Sequence, residues 1–68
     1  MYMILDKEKI QDAMVAACVN VSELADKSGL GIKTIRKLTL ADGNATTKTV
    51  GLLSKALGIP YRELLKEE

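Results

Sequence analysis

Sixty-eight residues with a net charge of +1, one cysteine and no histidine make a single domain spanning residues 1–68. They exclude several kinds of chemistry: Cys18 alone can build neither an intramolecular disulfide nor a cysteine zinc site, and the commonest general base and metal ligand is missing. The core must be aliphatic, because apolar residues make up 47% of the chain while Tyr2 and Tyr61 are its only aromatic side chains, and such a core suits packed helices better than a small β-barrel.

No apolar run approaches the ~18 residues of a membrane span. The opening from Met1 to Asp6 is too short and too soon charged for a signal peptide, so the cytoplasm is the expected compartment.

Five helices are predicted in chain order. The first runs from about Asp6 to Cys18, with Asp6 as N-cap, Leu5 and Ile10 spaced as a hydrophobic staple, and Ile10, Ala13, Met14 and Ala17 on one face. The second covers about Val21–Ser28; Asn20 caps it and Glu23 stands where a capping box returns the bond, while Gly29 is the αL stop. The third covers about Ile32–Leu40, with Gly31 as a weak N-cap and Ile35 and Leu38 turned inward. Asp42-Gly43-Asn44 reads as a turn. The fourth, about Thr47–Leu57, is capped by Thr46, ended by Gly58 and striped with Val50, Leu53 and Leu57. The fifth is short, about Pro60–Lys66, proline suiting a first helical position; Leu64 and Leu65 close the core. No segment alternates with period two for long enough to predict a strand, so the fold class is an all-α, compact five-helix bundle.

Charge is unevenly spread. Residues 27–41 hold Lys27, Lys33, Arg36 and Lys37 and no acid, whereas the other residues hold the remaining six bases and all nine acids. A basic island on an otherwise acidic chain is the footprint of an anionic partner, or else an ordinary solvated helix face. Glu63, Glu67 and Glu68 read as solubilising charge, and Cys18 as a small apolar filler near a helix end. Val15, Leu40 and even Cys18 are apolar beyond what one buried face needs and are expected to protrude, which suggests a protein contact through the first helix. Without histidine no nucleophile–base–orienter set can be assembled, and there is no phosphate-binding glycine loop, so the chain is not read as an enzyme and no cofactor or metal is expected.

The informative stretch is Asn20-Val-Ser-Glu-Leu-Ala-Asp-Lys-Ser-Gly-Leu-Gly-Ile-Lys-Thr-Ile-Arg-Lys-Leu38. Two short helices meet at Gly29; small Ala25 lets them approach, and Leu30, Ile35 and Leu38 pin the second, leaving Ile32, Lys33, Arg36 and Lys37 outside. This stretch resembles the helix-turn-helix of the phage repressor and Cro (Xre) family, with Leu24-Ala25, Gly29-Leu30 and Ile35 with Leu38 at the family spacing. Asn44-Ala-Thr-Thr-Lys-Thr-Val-Gly-Leu-Leu-Ser-Lys-Ala-Leu-Gly-Ile59 resembles the family's fourth helix, and Tyr61-Arg-Glu-Leu-Leu65 its last.

The resemblance implies a lambda-repressor-like domain with its helix-turn-helix at about 20–40, and a sequence-specific transcription regulator whose third helix enters the major groove of double-stranded DNA as a homodimer. Carried over by position, the implied DNA-binding residues are Asn20, Gly31, Ile32, Lys33, Arg36, Lys37 and Lys48, with Val21 at the backbone contact and Thr46 near phosphate. Lysine and arginine suit phosphate or guanine, Ile32 suits a thymine methyl, and Thr34 reads as buried or capping. Several positions depart from the family pattern: Val21 stands where glutamine is frequent, Gly31 where serine is usual, Ile32 where a polar base reader is common, Thr39-Leu-Ala41 in place of Glu-x-Gly, and Ala45 in place of proline. Val21, Ile32 and Leu40 motivate the alternative, a protein-interaction module on the same fold, antirepressor- or antitoxin-like, that binds another regulator.

Overall fold

The computed structural model describes residues 2–66; Glu67 and Glu68, read above as solubilising charge, lie outside the described residues. The order of elements is β1 (Tyr2–Leu5), α1 (Lys7–Ala17), α2 (Val21–Ser28), α3 (Ile32–Leu40), β2 (Gly43–Thr46), α4 (Thr47–Leu57) and a 3₁₀ turn (Tyr61–Leu64). The helix ends follow the predicted caps. Asp6 accepts from the amides of Glu8 and Lys9, and Asn20 and Glu23 form a complete capping box. Thr46 accepts from Thr49 N–H, and Gly29 and Gly58 take the left-handed conformation that ends α2 and α4.

Four helices, a 3₁₀ turn and a small sheet replace the expected five-helix, all-α bundle. β1 and β2 pair antiparallel, Tyr2 opposite Thr46 and Leu5 opposite Gly43, so the segment predicted as the Asp42-Gly43-Asn44 turn enters a strand and the chain bends earlier, at Ala41. Four-residue strands carry too little alternation to show in sequence, and a lone two-stranded ribbon is marginal in water. This one is held by packing: Leu5 and Ala45 are buried in the same core as the helices.

The predicted last helix shortens for a related reason. The amide of Asp6 donates to the carbonyl of Leu64 at 3.0 Å and that of Lys66 to the carbonyl of Ile4 at 2.9 Å, and Leu5 bridges Leu65. Pairing with β1 demands extended backbone at Leu65 (φ −83°, ψ 143°), which stops helical propagation after one turn. Leu64, fully buried, then plugs the base of the core.

That core is aliphatic throughout: Leu5, Ile10, Leu24, Ile35, Val50, Leu53 and Leu64 are its most enclosed side chains. Leu5 and Ile10 are both in it, as the staple spacing required.

Asp42 ties the ends together. Its carboxylate accepts from the amide of Lys7 at 2.9 Å, at the start of α1, and pairs with the Lys66 ammonium. The Lys66 hydrogen bond, followed by that from the Lys7 amide, holds the Asp42 carboxyl below its ordinary range, and the same bond pushes Lys66 up. A depressed acid contributes stability above its unfolded pKa of about 3.9 and loses it as pH falls through the folded value; a raised lysine contributes below about 10.4 and loses it as pH rises through its own folded value. Asp42→Asn, which keeps an acceptor for Lys7, should therefore lower the thermal midpoint between about pH 5 and 9, with the difference from the parent shrinking as pH falls through the lowered folded value of Asp42. A deficit that persists at low pH would assign the effect to shape rather than charge.

Cys18 is exposed, so it is not a core filler. It stands at φ 56°, ψ 41° immediately after α1, with Cys18 N–H donating to Val15 O and Val19 N–H to Met14 O, both at 3.1 Å. This is a Schellman stop with a cysteine where glycine is favoured. A non-glycine residue there carries strain of about 1–2 kcal/mol, partly offset by the flexibility glycine adds to the unfolded chain. Cys18→Gly should stabilise the domain by up to about 1 kcal/mol, read as a higher urea midpoint at unchanged slope.

Candidate nucleic-acid interface

The outward face of α3 is set by its inward face. Ile35 is fully enclosed, and Leu38 and Thr39 are buried beside it, at helical spacing on one side. Thr39 Oγ1 donates back to the carbonyl of Arg36 at 2.9 Å, which lets a hydroxyl be buried without an orphaned donor. Gln11 of α1 donates through Nε2 to the carbonyl of Thr39 at 2.6 Å, supplying a partner for one of the last carbonyls of α3. Residues 33, 36, 37 and 40 then lie on the opposite side, and all four are exposed.

The corner before α3 is built from small residues. Ala25 is buried, and its carbonyl receives the amide of Gly29 at 3.0 Å. Ser28, buried and not singled out by the sequence, stitches the turn: Oγ donates to Ala25 O and accepts from Leu30 N–H at 3.2 Å. The only signal that could have found it is its place directly before the Gly29 stop, where a hydroxyl can satisfy amides past the helix end.

Every sequence-predicted site residue is exposed: Asn20 at the start of α2, Gly31, Ile32, Lys33, Arg36 and Lys37 on or just before α3, and Lys48 in the first turn of α4. Among the described residues none of Lys33, Arg36, Lys37 and Lys48 is paired with a carboxylate, so this face carries uncompensated positive charge. Ile32 is 40% exposed at its edge. Asn20 Oδ1 is committed to the cap on Glu23 N–H, which leaves only its NH₂ group for a partner. Val21, half-buried, has no polar group to offer.

Thr34 is exposed rather than buried, and no cap at Gly31 uses its side chain. Its neighbours explain what it can do. An open groove of about 540 Å³ runs between α3 and the β2–α4 junction, with Thr34 and Lys37 on one side and Asn44, Thr46 and Thr49 on the other. The β1–β2 pairing positions Asn44 and Thr46 there; a free turn at residues 42–44 gives no means of placing them. Hydroxyls, an amide and one ammonium line this groove together with the Asp42 carboxylate, which is engaged by Lys66 and the Lys7 amide; the chemistry suited to a phosphate-bearing backbone is that of the exposed cationic helix beside it.

Gly31 has ordinary extended backbone (φ −67°, ψ 149°) and no side chain to cap α3. A Cβ there would meet only Thr34 Oγ1, at 4.0 Å. Gly31→Ser should therefore fit without strain and stabilise the domain by a few tenths of a kcal/mol, roughly the difference between glycine and serine caps; denaturant midpoints of the two proteins test it.

Comparison with known proteins adds two findings. The helix-turn-helix family model HTH_3 matches residues 19–64, from the entry to α2 through the 3₁₀ turn, whereas no curated protein sequence matches the chain. Among solved structures, 2-hydroxyethylphosphonate dioxygenase (HEPD), as a variant, aligns with TM-score 0.84 and 23% identity over 93% of this chain. Native PhpD with cadmium atoms aligns with TM-score 0.79 and 22% identity over the same share. The chain spans only 15% and 13% of the lengths of those two proteins, so the likeness concerns one segment of each. At that level of identity it establishes a shared fold and nothing about chemistry.

Proposed function

The chain belongs to the Cro and repressor-like (Xre) helix-turn-helix family, and from that premise we propose that it is a sequence-specific DNA-binding transcription regulator. The family points to DNA as a partner; the regulatory role, the individual contacts and the pairing of copies on DNA are our reading. In it, α3 lies in the major groove of double-stranded DNA and two copies read half-sites about one turn apart, within the cytoplasm.

The observation that carries this is the unpaired cationic face of α3 opposite a fully packed underside. Lys33 and Lys37 make most of the specific contact, through guanine O6 and N7. Arg36 and Lys48 neutralise phosphates, Ile32 meets a thymine methyl, and Gly31 allows close approach of the α3 start to the duplex. The NH₂ group of Asn20 reaches a phosphate beside α2. Thr46 adds a hydroxyl near the same backbone, from across the groove that Lys37 also lines.

The second reading, a protein-interaction module that binds another regulator, is favoured by one specific observation. Val15 and Leu40 are more than three-quarters exposed, and Leu40 sits on the same stripe of α3 as the cations.

Selection of bound duplexes from a random library at moderate salt separates the two. An enriched, roughly two-fold symmetric motif is expected; recovery of no motif transfers the assignment to protein binding. On the selected site, removing one phosphate-neutralising cation should reduce the slope of log affinity against log salt by about 0.9. Lys48→Ala should show that reduction with base preference unchanged, whereas Lys37→Ala should weaken binding by about 1–3 kcal/mol and relax preference at one base position. Equal binding by the parent and both variants across the salt range would contradict the assigned roles.

A further inference from the structure

Asp42 belongs to two places at once. Its carboxylate ties the described ends of the chain together, and it also lines the groove that Lys37 of α3 borders. Two ammonium groups thus stand near one carboxylate. Lys66 holds it; Lys37 has no carboxylate partner among the described residues.

The structure assigns Lys66 a positioning role: by holding Asp42 at the α1 side of the groove, it keeps the Lys37 ammonium free to meet DNA. The benefit rests on the DNA-binding reading above; the choice of partner by Asp42 does not.

Three features settle that choice in favour of Lys66. Both carboxylate oxygens are engaged on the far side from α3. Oδ1 accepts from the Lys7 amide at 2.9 Å, one of the amides at the start of α1 that has no partner within the helix, where the helix dipole also favours a negative group. Oδ2 takes the Lys66 ammonium. Next, the backbone of Lys66 is already fixed: its amide donates to the Ile4 carbonyl at 2.9 Å, beside the Leu5–Leu65 bridge. Finally, Asp6 and Glu8, at the same end of α1, add their attraction to Lys66.

Nothing comparable draws Lys37 inward. Helix α3 contains no acid, and Asp42 is the one carboxylate lining the groove. The charges that act on Asp42 are Lys66 and, more weakly, Lys7; Lys37 is not among them. An exposed ion pair is weak, so its partner is decided by which ammonium is already in place. Lys66 is delivered by the strand pairing behind it, whereas Lys37 would have to surrender the freedom of a long side chain.

Removing Lys66 reverses that order. Oδ2 loses its partner, and Lys37 is the ammonium that shares the groove with it. A Lys37 drawn onto Asp42 is already neutralised, so it releases no counterion when a phosphate approaches and offers no free donor to a guanine.

Two measurements test this. The first is side-chain NMR of the chain without DNA. In Lys66→Gln the Cε and Nζ resonances of Lys37 should shift, and adding Asp42→Asn should return them to their parent positions. The second is affinity for the selected duplex, at a temperature at which circular dichroism shows every variant fully folded. Lys66→Gln should weaken binding about three- to tenfold and reduce the salt slope by up to about 0.9, the share of one cation. Made in an Asp42→Asn or a Lys37→Ala background, the same substitution should change affinity less than about twofold, because a charge acting only at a distance is screened at about 0.15 M salt. Lys66→Arg, which keeps a cation for Asp42, should bind like the parent.

Unmoved Lys37 resonances in Lys66→Gln, or movement at Lys7 in their place, would overturn the exchange of partners. Equal weakening by Lys66→Gln with and without Asp42 would make Lys66 a direct phosphate contact and overturn its positioning role. If no duplex is selected, the benefit to DNA binding falls with that reading, while the NMR measurement still decides which ammonium Asp42 holds; the two readings fail separately.

Discussion

Burial of Ile35 and Leu38 beneath α3 fixes the rotation of that helix about its own axis, and the chemistry it shows to solvent follows. Each such side chain removed from water contributes about 1.5–3 kcal/mol, against a total stability of about 5–15 kcal/mol for a domain of this kind. Turning the helix far enough to hide Lys33 or Lys37 would forfeit that burial and also desolvate a cation, so the two costs act in the same direction. A cationic ridge held by an apolar underside thus needs no salt bridge to keep it in place, and none is found among the described residues.

The rest of the fold serves that setting. Ser28 and Gly29 define the corner between α2 and α3, and Gln11 anchors the far end of α3 to α1. Behind them, the two described ends of the chain are tied together: β1 pairs with β2 on one side and receives the tail through Leu64, Leu65 and Lys66 on the other. For a chain of this length, whose single core is small, recruiting both ends into the packing enlarges the cooperative unit. It also aims the β2–α4 junction at the groove beside α3, so an element far from the helix-turn-helix shapes the surface next to it.

The likeness to segments of HEPD and PhpD bears on how function is argued. The same arrangement of helices forms part of much larger proteins, so the backbone alone does not specify a partner. What this chain offers a partner lies in the chemistry of its exposed surface: bases on α3 and an apolar hollow beside the end of that helix.

Much of this was legible before any coordinates. Asp6, Asn20 with Glu23, Gly29, Thr46 and Gly58 mark helix ends through bonds within a few residues of themselves, and Ile10, Ile35, Leu53 and their neighbours mark inner faces through a period that a helix imposes locally. What the amino-acid order determined by itself, therefore, was the four main helices, which face of each is buried, and the exposure of the α3 cations.

The sheet, the shortened last helix, the Asp42 tie and the groove beside Thr34 were decided only in three dimensions. Tyr2 opposite Thr46 and Asp6 bonded to Leu64 are contacts between distant parts of the chain; no short-range pattern encodes them, and Gly43-Asn44 locally favours a turn. Long-range backbone pairing overrode that preference because the completed core leaves the two strands adjacent. Burying Leu5, Ala45 and Leu64 there stabilises the domain by more than a local turn preference can.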